Sequence, residues 1–152
     1  MRFSLRGVEM QRHRHIVYWS PCADWWLDRE GNLYFRGETF ALLPHVPNCV
    51  TGYQGVCCYR WEDYLICFDR DGSLFEVEHA GAGLIHMSLD ARFLAVVENA
   101  EAIAIYTVSS GICSFRYPIQ ETVAELRFVL GWKLFLRYDS GDFVLLQLEG
   151  LS

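Results

Sequence analysis

Three segments of this chain share one arrangement: an apolar run, a short polar turn with an acidic residue and a glycine, and a second apolar run. They are residues 26–35 (WLDREGNLYF), 67–77 (CFDRDGSLFEV) and, in shorter form, 137–145 (RYDSGDFVL). The acidic side chain accepts hydrogen bonds from turn amides, and glycine takes the positive φ that a tight hairpin requires. A chain that repeats this device is built from antiparallel strands. The pattern predicts fold class firmly and carries no reaction chemistry of its own.

The chain has 152 residues, of which 52% are apolar and 15% aromatic. That content excludes disorder and favours strands over helices. The length suits one domain, residues 1–152, or part of a larger ring. The net charge of −6 repels phosphate backbones, which argues against a nucleic-acid partner. Twelve of the thirteen basic residues are Arg, with Lys133 the single Lys. Arg pairs with carboxylates through a planar fork and stacks on rings, so it suits interfaces. No run approaches the ~18 apolar residues of a membrane span, and the first residues hold no leader-like apolar run. The six cysteines, Cys22, Cys49, Cys57, Cys58, Cys67 and Cys113, then read as reduced, mostly buried thiols of a cytoplasmic protein.

Along the chain, residues 16–19 read as a strand. Residues 25–35 form the first hairpin, with residues 40–43 as its third strand. Residues 56–59, 64–68 and 73–77 make a second group. The clearest unit is residues 84–117, in which four strands alternate with the polar turns 88–91, 98–101 and 109–111. Residues 122–129 alternate only loosely and also fit a helix face; the following hairpin, 132–148, favours a strand. A first strand drawn from residues 1–20 is placed beside the last hairpin, where it would close a ring.

The turn positions Gly31, Gly72, Glu101 and Gly141 stand 41, 29 and 40 residues apart. A period of roughly 40 residues with about four strands marks a propeller blade. Residues 85–96 (IHMSLDARFLAV) resemble the first two strands of a WD-repeat blade, and residues 102–111 (AIAIYTVSSG) its third strand and turn. Tyr106-Thr107 stands where that family often has Trp-Asp, and His79 where it often has its histidine. The Asp28 and Asp69 hairpins look more like propellers with a D-x-x-G-x-L-[YF] repeat. The resemblance covers roughly residues 24–148. It implies an all-β fold of antiparallel four-stranded meanders in a propeller-like arrangement, with about three to four degenerate blades. So short a chain forms a compact ring, shares a ring with a second copy, or leaves an open arc whose edge recruits a partner. Association is favoured, because an open arc this aromatic is sticky alone.

His13, His15 and Cys22 lie close in sequence, and His45 precedes Cys49 by four residues, but neither set has zinc-finger spacing. Cys57 and Cys58 alternate faces on one strand, with no base nearby to activate a thiolate. Residues 69–73 (DRDGS) place glycine too early for a calcium loop. Glu62 and Asp63 read as a solvated turn. No hydrolase, phosphate-loop or dinucleotide motif occurs, so no cofactor is expected. Trp25 and Trp26 point to opposite faces. With Arg29, Arg36 and Trp61 they form the expected interaction surface, since Trp and Arg dominate binding hot spots. The function expected is therefore a non-enzymatic protein–protein interaction module or assembly subunit. The alternatives are a small inhibitor or immunity-type protein that blocks an enzyme, and a metal-binding protein using His13, His15 and Cys22.

Overall fold

The computed structural model describes residues 16–19, 25–44, 47–130 and 132–149. Among these residues there are fifteen strands and no helix. The first sheet holds β1 (Ile16–Trp19), β2 (Trp25–Asp28), β3 (Asn32–Phe35) and β4 (Glu38–Leu42). The second holds β5 (Cys49–Tyr53), β6 (Val56–Trp61), β7 (Tyr64–Asp69) and β8 (Gly72–Glu78). The third holds β9 (Ala82–Met87), β10 (Phe93–Glu98), β11 (Ala102–Thr107) and β12 (Ile112–Pro118). The fourth has three described strands, β13 (Val123–Val129), β14 (Lys133–Tyr138) and β15 (Phe143–Gln147). Each sheet is a simple antiparallel meander in sequence order. Residues 123–129 form a strand, as the following hairpin requires.

The sheets stack through their faces, and each junction has its own apolar core. The first and second sheets enclose Trp25, Leu27, Leu33, Phe35, Val50, Cys57 and Tyr59. The second and third enclose Cys58, Leu65, Cys67 and Phe75 against Ile85, Met87, Leu94, Val96 and Ala104. The third and fourth enclose Ala95, Ile103 and Ile105 against Leu126, Phe128, Leu134 and Leu136. The period-2 alternation of each central strand serves two cores at once. In β10, Leu94 and Val96 face the second sheet, while Ala95 and Val97 face the fourth. A strand buried on both faces has no polar side, which is why residues 93–97 are all apolar and all buried. The first strands of the second, third and fourth sheets lie side by side, so the sheets fan out from one line. At the first junction Gly52 leaves room for an indole. A Cβ there would sit 3.1 Å from the Trp25 ring and from the Val56 carbonyl.

The structure corrects three expectations. First, the turn glycines are not equivalent. Gly31 (φ +89°), Glu101 and Gly141 (φ +95°) lie between the second and third strands of their sheets, whereas Gly72 lies between the third and fourth. The matching turn of the second sheet is Glu62-Asp63, which explains the irregular middle interval. Sheet starts at Ile16, Cys49, Ala82 and Val123 give the true steps of 33, 33 and 41 residues (16 to 49, 49 to 82, 82 to 123). Second, of the first strand drawn from residues 1–20, β1 pairs with β2 in the first sheet rather than beside the last hairpin, and residues 1–15 lie outside the described residues. Third, the thiols are not all reduced: Cys58 and Cys67 form a disulfide.

That bridge joins residues directly opposite on β6 and β7, and both are fully buried. Trypsin cleavage after Arg36, Arg60 and Arg70 places the two cysteines in different peptides. Without reductant, mass spectrometry is expected to find peptides 37–60 and 61–70 joined. The joined species should persist in Cys57→Ser and vanish in Cys58→Ser; two free peptides in unreduced wild type would contradict the bridge.

Candidate interaction surface

In a meander, the first-to-second and third-to-fourth strand turns share one end of each sheet. At this end two clefts open between neighbouring sheets. One, of about 180 Å³, is lined by Ser88, Leu89, Asp90, Leu130 and Trp132, and lies between the third and fourth sheets. The other, of about 370 Å³, is lined by Val56, Leu74, Ala91, Arg92, Phe93, Thr107, Val108 and Ser109, between the second and third. The β9–β10 turn, residues 88–92, is the wall they share. Its geometry is fixed by side chains: Asp90 Oδ1 accepts from the Ser88 hydroxyl (2.7 Å) and the Arg92 amide (3.1 Å). Ser88 Oγ in turn accepts from the Phe93 amide at 3.0 Å. Burial works to raise the Asp90 pKa, but the hydrogen bonds from Ser88 and Arg92 and the charge of Arg92 hold it below the usual carboxylate value.

Arg92 stands on this wall. Its Nε donates to Asp90 Oδ2 at 2.8 Å, and its guanidinium lies 5.3 Å from the Phe93 ring centroid and 5.1 Å from that of Trp132. Phe93 and Trp132 meet edge to face at 5.5 Å. The side chain remains 51% exposed. Around it, Leu89 is 41% and Leu130 80% exposed. This end therefore presents apolar clefts on either side of an oriented Arg92–Asp90 ion pair.

The opposite end of the third sheet carries a polar tie. Glu98 Oε2 is 2.8 Å from His79 Nε2 and 3.4 Å from the Tyr106 hydroxyl, which itself lies 3.0 Å from His79 Nε2. Arg116 Nε donates to Glu98 Oε1 at 2.9 Å. Burial and the nearby Glu98 charge push the Tyr106 hydroxyl up to about 12. The group fastens the segment after β8 to β10, β11 and β12. Its role is to hold strands together: Glu98 is shared by His79, Tyr106 and Arg116, while His79 Nδ1 is buried with no hydrogen-bond partner among the described residues. Replacing Glu98 by Ala removes the acceptor shared by His79, Tyr106 and Arg116, leaving the His79–Tyr106 contact alone, and is expected to cost about 1–3 kcal/mol by urea unfolding. A change below about 0.5 kcal/mol would show that the tie is idle.

The outer face of the fourth sheet meets no other sheet among the described residues. It presents Phe135, Phe143 (68% exposed) and Leu145 (51% exposed), with Phe135 and Phe143 rings 5.9 Å apart. Beside them Glu125 pairs with Arg127 at 2.8 Å and Arg137 at 3.4 Å. Besides the apolar core they share, the third and fourth sheets are joined at His86, on β9, whose Nδ1 accepts the Phe128 amide of β13 at 3.1 Å. Burial, with the Arg127 charge, lowers the His86 pKa from 6.5 to about 4.

The residues expected to form the interaction surface do not come together. Trp25 is fully buried at the first junction, 4.4 Å from Phe35 and 4.7 Å from Phe40. Trp26 points the other way, as alternation requires, yet is only 6% exposed and stacks on Tyr34 at 3.6 Å. Both tryptophans are packing residues. Arg36 is exposed in the β3–β4 turn, over the Phe35 ring at 5.0 Å, and Arg29 is exposed in the β2–β3 turn at the opposite end. Trp61 is half-buried and stacks on Tyr64, its partner across the β6–β7 hairpin. His13, His15, Cys22 and His45 lie outside the described residues. Among the described residues no three His, Cys, Asp or Glu side chains converge. Burial drives the Cys57 thiol pKa well above its ordinary value, so it is inert as a nucleophile. The acidic turns do what the sequence predicts. Asp28 Oδ1 accepts the Glu30 and Asn32 amides, each at 2.9 Å, and Asp69 Oδ1 accepts the Asp71 amide at 2.8 Å.

No family model and no curated protein sequence matches the chain. Solved structures do. Kluyveromyces lactis Hsv2p is similar with a TM-score of 0.72 at 8% identity, over 90% of this chain and 50% of that one. BamB from Moraxella catarrhalis is similar with a TM-score of 0.62 at 16% identity, over 82% of this chain and 40% of that one. Both are β-propeller proteins. The fold is that of a β-propeller. At these identities the likeness concerns architecture alone, and this chain spans half or less of the length of either propeller. The four sheets are therefore propeller blades.

Proposed function

We propose that this chain is a non-enzymatic assembly module: an arc of blades that completes a ring with a second copy and presents its turn surfaces to a protein partner. The observation that carries the reading is the outer face of the fourth blade. The facing sides of the first and second, second and third, and third and fourth blades bury their central apolar residues against one another. The fourth blade's outer face holds Phe143 and Leu145 in solvent beside Arg127, Arg137 and Lys133. The far face of the first blade carries acidic Asp28 beside the packed Trp26–Tyr34 stack, a match in charge. Two such contacts, fourth blade to first blade and the reverse, close under two-fold symmetry. The chain's coverage of half the Hsv2p structure is the proportion expected for half a ring. A WD-repeat-like character of the third blade is supported by His79, which reaches Tyr106 at the position where that family often has tryptophan.

The test is a double change on the flank, Phe143→Asp with Leu145→Asp. Sedimentation is expected to shift from dimer to monomer while the far-ultraviolet circular dichroism stays that of an all-β protein. A variant that keeps the wild-type sedimentation would remove the flank from the assembly.

A further inference from the structure

The second blade carries a covalent link that its neighbours enclose. We infer that Cys58 and Cys67 are oxidised while the chain folds, by a small disulfide-bearing oxidant, and that closure of the second and third blades then seals the bridge against exchange. Pairing comes first. The two residues are direct partners in the β6–β7 register and only nine residues apart in sequence. The hairpin turns through Glu62 and Asp63, so its pairing alone brings the thiols face to face. Burial comes second. In the folded chain Cys58 is 1% and Cys67 0% exposed. Thr51 on β5 and Phe75 on β8 flank them in the same row of the sheet. The third blade covers that row with Met87, Leu94 and Val96. This cover is fastened from within: the Met87 amide donates to Thr51 Oγ1 at 3.0 Å.

The exchange chemistry needs room that the closed junction does not leave. One cysteine thiolate attacks the oxidant's disulfide, forms a mixed disulfide and releases half of the oxidant as thiolate. The second cysteine thiolate attacks the cysteine sulfur of that mixed disulfide, and the other half leaves. Two electrons pass to the oxidant, which takes up the two cysteine protons and becomes two thiols. The mixed disulfide carries a foreign group on a sulfur with almost no exposed surface in the folded chain. Reduction runs back through the same intermediate, so closure shields the pair in both directions. The other described thiols do not bypass the seal. Cys57 points into the first junction, where burial keeps it protonated and unreactive. Cys49 lies opposite Arg60 and Cys113 opposite Tyr106, so neither faces the bridge in register. The folded chain therefore keeps whichever state, dithiol or bridge, it had when the blades closed.

The test begins with the full chain, reduced and unfolded in concentrated urea. It is refolded with glutathione disulfide present from the start, or with the oxidant added only after refolding. Each sample is quenched in acid and unfolded, its thiols are blocked with maleimide, and the tryptic peptides 37–60 and 61–70 are weighed. Joined peptides are expected from early addition and separate, blocked peptides from late addition. Equal joining in both orders overturns the proposal. The bridged protein is then given dithiothreitol, folded and in urea. Reduction of the folded protein is expected to be at least about a hundredfold slower, and a smaller ratio overturns the seal. This arm uses only the bridged form, so it decides the question even if circular dichroism shows the reduced chain unfolded. Cys49→Ser with Cys113→Ser should leave the ratio unchanged. A rise would mean that a free thiol carries the exchange from inside, which overturns the seal as well. None of these outcomes bears on the ring-forming flank, whose failure shows in sedimentation alone.

Discussion

Replacing Trp25 by Ala is expected to destabilise the chain by about 3–5 kcal/mol, the range for deleting a fully buried large aromatic side chain. The indole is completely enclosed between the first and second blades. It touches Phe35 and Phe40 and fills the space that Gly52 leaves by lacking a side chain. Neither neighbour can collapse into the vacancy without breaking its own ring contacts, so the cavity persists. Urea unfolding followed by circular dichroism gives the change in free energy. Trp26→Ala is expected to cost less, because that ring stacks on Tyr34 outside the first junction's core and keeps 6% of its surface exposed. Equal losses for the two, or a loss below about 1 kcal/mol for Trp25→Ala, would show that the first junction is not packed as described.

Acid is expected to loosen the fourth blade. His86 must be neutral to accept the Phe128 amide, and its folded pKa is lowered from 6.5 to about 4, by burial first and by the Arg127 charge second. Between those values the unfolded chain binds a proton that the folded chain refuses. Stability from this site is therefore fully present above about pH 6.5, falls as pH drops, and is gone below about pH 4. A shift of this size corresponds to about 3 kcal/mol as an order of magnitude. In His86→Asn the amide oxygen supplies a non-titrating acceptor, so the variant should lose less stability between pH 7 and pH 4 than wild type by that amount. Identical pH slopes for the two proteins would exclude His86 as the acid-sensitive group.

The parts of the fold legible in the sequence are those set by local chemistry. The Asp28 turn, the meander of the third blade and the last hairpin depend on turn residues and alternation within a few positions, and they stand where the pattern puts them. The step along the chain was legible too, but Gly72 misled it, because an Asp-Gly turn serves any position in a meander equally well. The Cys58–Cys67 bridge had a readable signal. With Glu62 and Asp63 as a two-residue turn, Trp61 faces Tyr64, and three residues back along each strand Cys58 faces Cys67. Composition alone pointed the other way.

The site was less legible for a physical reason. Alternation told that Trp25 and Trp26 face opposite ways, but burial depends on what the next sheet supplies, and both rings are covered. Arg92, Leu130 and Trp132 form one surface only because two blades meet, and β9 and β13 are far apart in sequence. Likewise, His79 and Tyr106 carry a faint family signal, whereas Glu98 and Arg116, which complete their network, sit at positions that read as ordinary turn and edge charges.

The most direct test of the arc as half of a shared ring is the mass of the full chain in solution, measured by light scattering across a hundredfold range of concentration. The expected result is twice the chain mass of 17.6 kDa, holding at the upper concentrations. A constant 17.6 kDa throughout would contradict it.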